Sequence, residues 1–92
     1  VRIRERDIEA AFVRYAKARG CVAYKFTSPG RAGVPDRLVV TPVGAFFIEF
    51  KRPGEKPTRK QQIEIDRLRL LGQTVLVIDQ KGLAEGVLDL WL

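Results

Sequence analysis

The sequence predicts an α/β domain, a central mixed β-sheet flanked by helices, with elements in the order α-β-β-β-α-β-α. Three observations carry that class. Apolar residues recur at helical spacing near both ends of the chain and again in residues 59–71. Two β-rich runs, Arg37–Val40 and Ala45–Phe50, are joined by Thr41-Pro42-Val43-Gly44 and read as an antiparallel hairpin. The apolar run Thr74–Ile78 follows a helix, so a crossover returns it parallel to Ala45–Phe50. A chain of 92 residues has material for one domain, residues 1–92.

Each element has its local reason. In Arg4–Arg19, Ile8, Ala11, Phe12, Tyr15 and Ala16 share one helical face, and Gly20 is the stop. Cys21–Phe26 alternates weakly and reads as a strand, with Cys21 and Tyr24 assigned to the core. Residues 27–35 are a loop by their Gly and Pro content. After the hairpin, residues 52–57 form a polar loop, and Thr58 is suited to cap the helix Arg59–Leu71. That helix carries Ile63, Ile65, Leu68 and Leu71 on its expected inner side, and Gly72 ends it. Thr74–Ile78 is nearly continuous in apolar residues, the pattern of a buried strand. Lys81–Leu90 closes the chain as a short helix, followed by Trp91 and Leu92.

Composition narrows the chemistry. There is no His, which removes imidazole bases, Ser-His-Asp triads and His-ligated zinc. The single Cys21 allows neither a disulfide nor a paired-cysteine metal site. Catalysis therefore falls to carboxylates, lysine, tyrosine or that one thiol. Seventeen Lys and Arg against eleven Asp and Glu leave a net charge of +6, which favours a polyanionic partner such as nucleic acid. No apolar run is long enough to span a bilayer, and no secretory-type segment opens the sequence, so the expected location is the cytoplasm of a bacterial or phage-infected cell.

Within this frame Asp36, Glu49 and Lys51 stand out. Asp36 follows Pro35 at the start of the first hairpin strand, Glu49 lies near the end of the second, and Lys51 projects from the same side as Glu49. Hairpin pairing brings the two carboxylates to one end of the sheet. Adjacent carboxylates repel unless a positive charge sits between them, and all-oxygen ligands suit Mg²⁺ or Mn²⁺. Such a site is suited to phosphodiester hydrolysis, because the cation activates water and screens the phosphate.

These residues also carry a resemblance. Gly33-Val34-Pro35-Asp36-Arg37 and Ile48-Glu49-Phe50-Lys51 resemble the split Pro-Asp…Glu-x-Lys signature of the PD-(D/E)XK nuclease superfamily, whose core is restriction-endonuclease-like. Lys25-Phe26 before the loop, and Gln61 near the start of the Thr58–Gly72 helix, narrow the likeness to the VRR-NUC family. The match spans about Glu5 to Ile78 and is closest to small stand-alone members of phages and bacteria.

The resemblance implies a Mg²⁺- or Mn²⁺-dependent DNA endonuclease with no small-molecule cofactor. Asp36, Glu49 and the Phe50 carbonyl would be metal ligands, Lys51 the catalytic lysine, and Gln61 a residue at the site edge. An acidic residue on the first helix would act through a water, and both Glu5 and Glu9 fit that place. Lys25, Ser28, Arg31 and Arg37 around the loop, with Arg52, Lys56, Arg59 and Lys60 near the second helix, are the candidate DNA contacts. The small members resemble homodimeric Holliday junction resolvases, so branched DNA is the expected partner. The alternatives are a flap- or end-directed nuclease and a non-catalytic nucleic-acid-binding module. Val87, Leu90, Trp91 and Leu92 either contribute to a dimer surface or pack on their own sheet.

Overall fold

Phe46, Ile48 and Phe50 alternate along one strand, and burying that row organises the molecule. The computed structural model describes residues 2–92. It comprises α1 (Glu5–Ala18), β1 (Val22–Lys25), β2 (Arg37–Thr41), β3 (Gly44–Phe50), α2 (Arg59–Leu70), β4 (Val75–Ile78) and α3 (Leu83–Trp91). This is the predicted order α-β-β-β-α-β-α. The four strands lie in spatial order β1-β2-β3-β4. β1/β2 and β2/β3 are antiparallel, whereas β3/β4 is parallel, as the crossover through α2 requires.

The two sheet faces differ. Ile8, Phe12 and Ala16 of α1 and Ala84 and Leu88 of α3 pack with Val39, Phe46, Ile48 and Phe50 on one face. Phe12 tilts against Phe50 with ring centroids 5.9 Å apart. Cys21 is buried in the same cluster, as expected. Trp91 packs on its own sheet, 4.9 Å from the Phe46 ring, and donates from Nε1 to Thr41 Oγ1 at 3.1 Å. Leu90 points away from this packing and is exposed.

The other face is only partly covered, and here three expectations are corrected. Of the four apolar residues assigned to the inner side of α2, Ile65 alone is fully buried, while Ile63 and Leu71 are exposed. The helix touches the sheet through a narrow stripe over β4, because Ile65 meets it and positions two residues away turn outward. β4 is an edge strand with Leu76 and Val77 only half-buried, not a fully enclosed one. Tyr24 is 56% exposed, not core. It shares the open face with Val22, Leu38 and Val40 because no helix crosses that half of the sheet. Among the described residues no helix is long and apolar enough to cross a membrane.

Candidate active site

The site begins with a loop held at both ends. The Phe26 ring lies 5.3 Å from Phe47 on the α2 side of the sheet, and its N–H donates to the Asp36 carbonyl at 2.9 Å. Further along, Arg31 pairs with the buried Glu64 of α2 at 3.3 Å, and Arg67 holds the same carboxylate at 3.4 Å. Gly33 has φ +85°, and a Cβ there would lie 2.7 Å from the Lys60 carbonyl oxygen. Only glycine lets the loop pass so close to the first turn of α2. Gly33→Ala is expected to destabilise the domain by about 1–3 kcal/mol through the left-handed φ and the clash. It should also slow catalysis, since the next three residues lead to Asp36. A thermal melt checks the first part, and a variant as stable as the parent would contradict it.

The hairpin register sets the carboxylates together. Arg37 pairs with Ile48, so Asp36 falls opposite Glu49 at one end of the sheet. Asp36 Oδ2 accepts a hydrogen bond from the Phe50 N–H at 2.8 Å, which holds its carboxylate against the end of β3. Glu49 is buried. Its Oε2 lies 3.4 Å from Lys51 Nζ, and its Oε1 is buried with no hydrogen-bond partner. Lys51 is itself buried, and its N–H bonds to the Ile78 carbonyl at 2.8 Å, tying the lysine to the end of β4.

Electrostatics record the crowding. Burial first, and then the charge of Asp36, push the Glu49 carboxyl up to about 7, despite the opposing pull of Lys51. Burial also raises Asp36, against the stabilising Phe50 N–H. Glu5, at the start of α1, is raised by burial and then by Asp36. Glu5, Asp36 and Glu49 thus crowd around Lys51, and Asp36 also feels the charges of Glu9 and Lys25. Among the described residues no three Asp, Glu, Cys or His side chains converge closely enough to form a cation cage by themselves. The donor set is two carboxylates, one with a buried unpartnered oxygen, beside the backbone of Phe50. That set fits a hard divalent cation that keeps several waters, as Mg²⁺ does.

The two helix carboxylates have different neighbours. Glu9 Oε2 accepts from Arg37 Nε at 2.7 Å and lies 3.5 Å from Lys25 Nζ. Arg37 also donates to the Ala23 carbonyl at 3.0 Å. Glu9 therefore ties α1 to the β1/β2 edge while its charge also raises Asp36, and Glu5 lies near Asp36 and Lys51. The Gln61 side chain is engaged in the helix cap: its Oε1 accepts from the Thr58 N–H at 2.9 Å, and its own N–H donates to Thr58 Oγ1 at 3.2 Å. That reciprocal cap starts α2 beside Gly33. Arg52, Lys56, Arg59 and Lys60 are exposed around this helix start, and Ser28 is half-buried in the loop. Arg52 is 3.3 Å from Glu55. The Glu64 clamp was not singled out from the sequence. Its only signal there is an acidic residue three positions before Arg67 in a basic helix, which also describes an ordinary solvated pair.

A four-stranded mixed sheet carrying Pro-Asp and Glu-x-Lys at adjoining strand ends is the arrangement of a PD-(D/E)XK nuclease core. The comparisons with known proteins agree. No family model matches the chain. It is 52% identical over 83 residues, 89% of each chain, to a protein of Acyrthosiphon pisum secondary endosymbiont phage 1 described as "Putative nuclease p44". It also superposes on a solved structure described as a VRR_NUC domain with a TM-score of 0.85 and 28% identity, covering 96% of this chain and 97% of the other. The chain belongs to the VRR-NUC family of nucleases.

Proposed function

We propose that residues 1–92 form a single nuclease domain, a Mg²⁺- or Mn²⁺-dependent DNA endonuclease acting on branched DNA as a homodimer in the cytoplasm of a bacterial or phage-infected cell. The observation that carries the metal reading is the buried, unpartnered Glu49 Oε1 beside Asp36 and Lys51. An oxygen in that setting costs about 1–3 kcal/mol or more unless something positive meets it.

Asp36, Glu49 and the Phe50 carbonyl would hold the cation, with Glu5 contributing through a water. Glu9 is the other acidic candidate. When bound, the cation supplies a water of lowered pKa and neutralises charge on the phosphate. The chain's own groups do the rest. Lys51 stabilises the charge that builds on the phosphate oxygens as the phosphorus–oxygen bond breaks. Its orientation is fixed by Glu49 on one side and by the β4 end on the other. Arg31, Arg52, Lys56, Arg59 and Lys60, with Lys25, Ser28 and Arg37, grip the flanking backbone phosphates. Gln61 holds the helix start at the site edge.

Branched DNA fits this reading, because the pair of identical sites in a homodimer would match the two symmetric strands of a four-way junction. The test offers a labelled four-way junction, a 5′ flap and a plain duplex to the protein with Mg²⁺, Mn²⁺ or EDTA. Paired symmetric cuts confined to the junction and lost in EDTA are expected. Cutting of flap or end alone would replace the junction reading with the end-directed one. Binding without cutting on every substrate would leave a non-catalytic binding module.

A further inference from the structure

Glu64 is a buried carboxylate away from Asp36 and Glu49, and it holds two arginines on one oxygen. Arg31 Nη1 donates to Glu64 Oε1 at 3.3 Å, and Arg67 Nε lies 3.4 Å from the same atom. Both arginine side chains are about half exposed, whereas Glu64 is buried. With Lys60 they line a cleft of about 420 Å³ between the loop and α2. Pinning the loop to the helix takes one cation. Here three cations line the cleft against one carboxylate, so it keeps a positive surplus. Asp66, the neighbouring carboxylate of α2, is engaged elsewhere, accepting from Gln62 Nε2 at 2.9 Å. A guanidinium carries five N–H donors in a fixed fork, and Glu64 takes up one nitrogen of each arginine. Two arginines alone would repel one another and spread into solvent. The carboxylate between them brings them side by side.

We propose that this cleft is a subsite for one backbone phosphate of DNA, with Arg31, Arg67 and Lys60 as its ligands and Glu64 as the positioning residue that holds the two guanidiniums together. The proposal rests on the nuclease reading above and deepens it, adding Arg67 to the DNA contacts and giving an acidic residue a part in binding an anion. The fork of a guanidinium matches the oxygens of a phosphate, and two forks set on one oxygen present their remaining donors to the same cleft. The loop that walls the cleft runs from Arg31 past Gly33, packed on the Lys60 carbonyl, and reaches Asp36 three residues later. The phosphate held here therefore flanks the scissile one. Tying Arg31 to α2 also orders that arginine before DNA arrives, so less freedom is lost on binding.

Fluorescence anisotropy of the full chain with a labelled duplex bearing 5′ hydroxyls, in EDTA and over a range of salt, tests the subsite. Arg67→Ala should weaken binding about three- to tenfold and lower the slope of log affinity against log salt by about one. Lys17→Ala removes the same charge from an exposed position on α1 and should change affinity less than about twofold. Glu64→Ala should weaken binding about threefold although it raises the net positive charge, and Glu64→Gln, which keeps an oxygen between the arginines, should return affinity close to wild type. Equal effects of Arg67→Ala and Lys17→Ala overturn the proposal. So does tighter binding by Glu64→Ala, the result that losing a negative charge alone would give. Should Glu64→Ala lose its circular dichroism, the comparison of Arg67→Ala with Lys17→Ala decides. An Arg67→Ala effect seen only on a 5′-phosphorylated duplex overturns the backbone assignment and gives the cleft to a terminal phosphate. A wild type that binds no duplex overturns the DNA reading as a whole, whereas binding that ignores Arg67 removes this subsite alone.

Discussion

Lys51→Ala is expected to abolish DNA cutting while leaving the fold and the affinity for DNA nearly intact. The side chain is buried, and its ammonium lies 3.4 Å from Glu49, so it is held at the carboxylates and not spread over the surface. Removing one well-placed donor from a site where charge develops slows chemistry by roughly 10²–10³. Folding should tolerate the loss. Glu49 is already pushed up to about 7 and takes a proton when its neighbour is gone, so no unpaired charge stays buried. Binding should persist because Arg52, Lys56, Arg59 and Lys60 are exposed and untouched. Lys51→Arg should rescue poorly, since a planar guanidinium cannot occupy the place of a compact ammonium. Single-turnover cleavage beside a gel-shift titration in EDTA separates the two effects. Cutting within a few-fold of wild type would remove Lys51 from the catalytic assignment.

Glu49→Gln should weaken the pH dependence of stability in the cation-free protein. The folded carboxyl titrates near 7, against an ordinary value of 4.5. Between those values the folded state binds the proton that the unfolded chain has released, so stability falls as pH rises. The loss is complete above the folded value and amounts to about 3 kcal/mol from this group. Asp36 and Glu5 are raised as well and act in the same direction. In EDTA at pH 8, Glu49→Gln is therefore expected to melt higher than wild type, by roughly 12 °C or more in a domain of this size. Adding Mg²⁺ should restore wild type and leave the variant nearly unmoved. Melting curves from pH 4 to 8 provide the check. A wild type whose stability rises through this window would mean that the carboxyls are not crowded as described.

Much of the fold was legible because its signals are local. The Phe46-Ile48-Phe50 row, the Pro-Val turn and the Thr58 cap each declare their element within a few residues. Strand pairing then follows from the hairpin, which is why Asp36 and Glu49 are legible as neighbours at one end of the sheet. What escaped were properties of coverage. Ile63 and Leu71 look like core positions on a helical wheel, yet α2 meets the sheet along one narrow stripe and leaves them outside. Tyr24 alternates as a buried residue should, but burial on a strand needs an element above it, and none crosses β1 on that face. Long-range ion pairs were equally invisible. Glu9 with Arg37 and Glu64 with Arg31 join residues 28 and 33 positions apart. Only the finished sheet register, for Glu9 and Arg37, and the packing of the loop on α2, for Arg31 and Glu64, bring such groups within reach. Glu5 and Glu9 share one helix face in the sequence, and the three-dimensional neighbours alone distinguish one from the other.

The central claim is that Asp36 and Glu49 hold a divalent cation with which Lys51 works on phosphodiesters. Its most direct measurement is a Mg²⁺ titration of junction cleavage by wild type and by Asp36→Asn, a substitution that keeps the shape of the side chain. The account predicts saturable cutting by wild type, none in EDTA, and none by Asp36→Asn at any Mg²⁺ concentration, with DNA affinity unchanged between the two. Equal cutting by both proteins, or cutting by wild type that persists in EDTA, would contradict it.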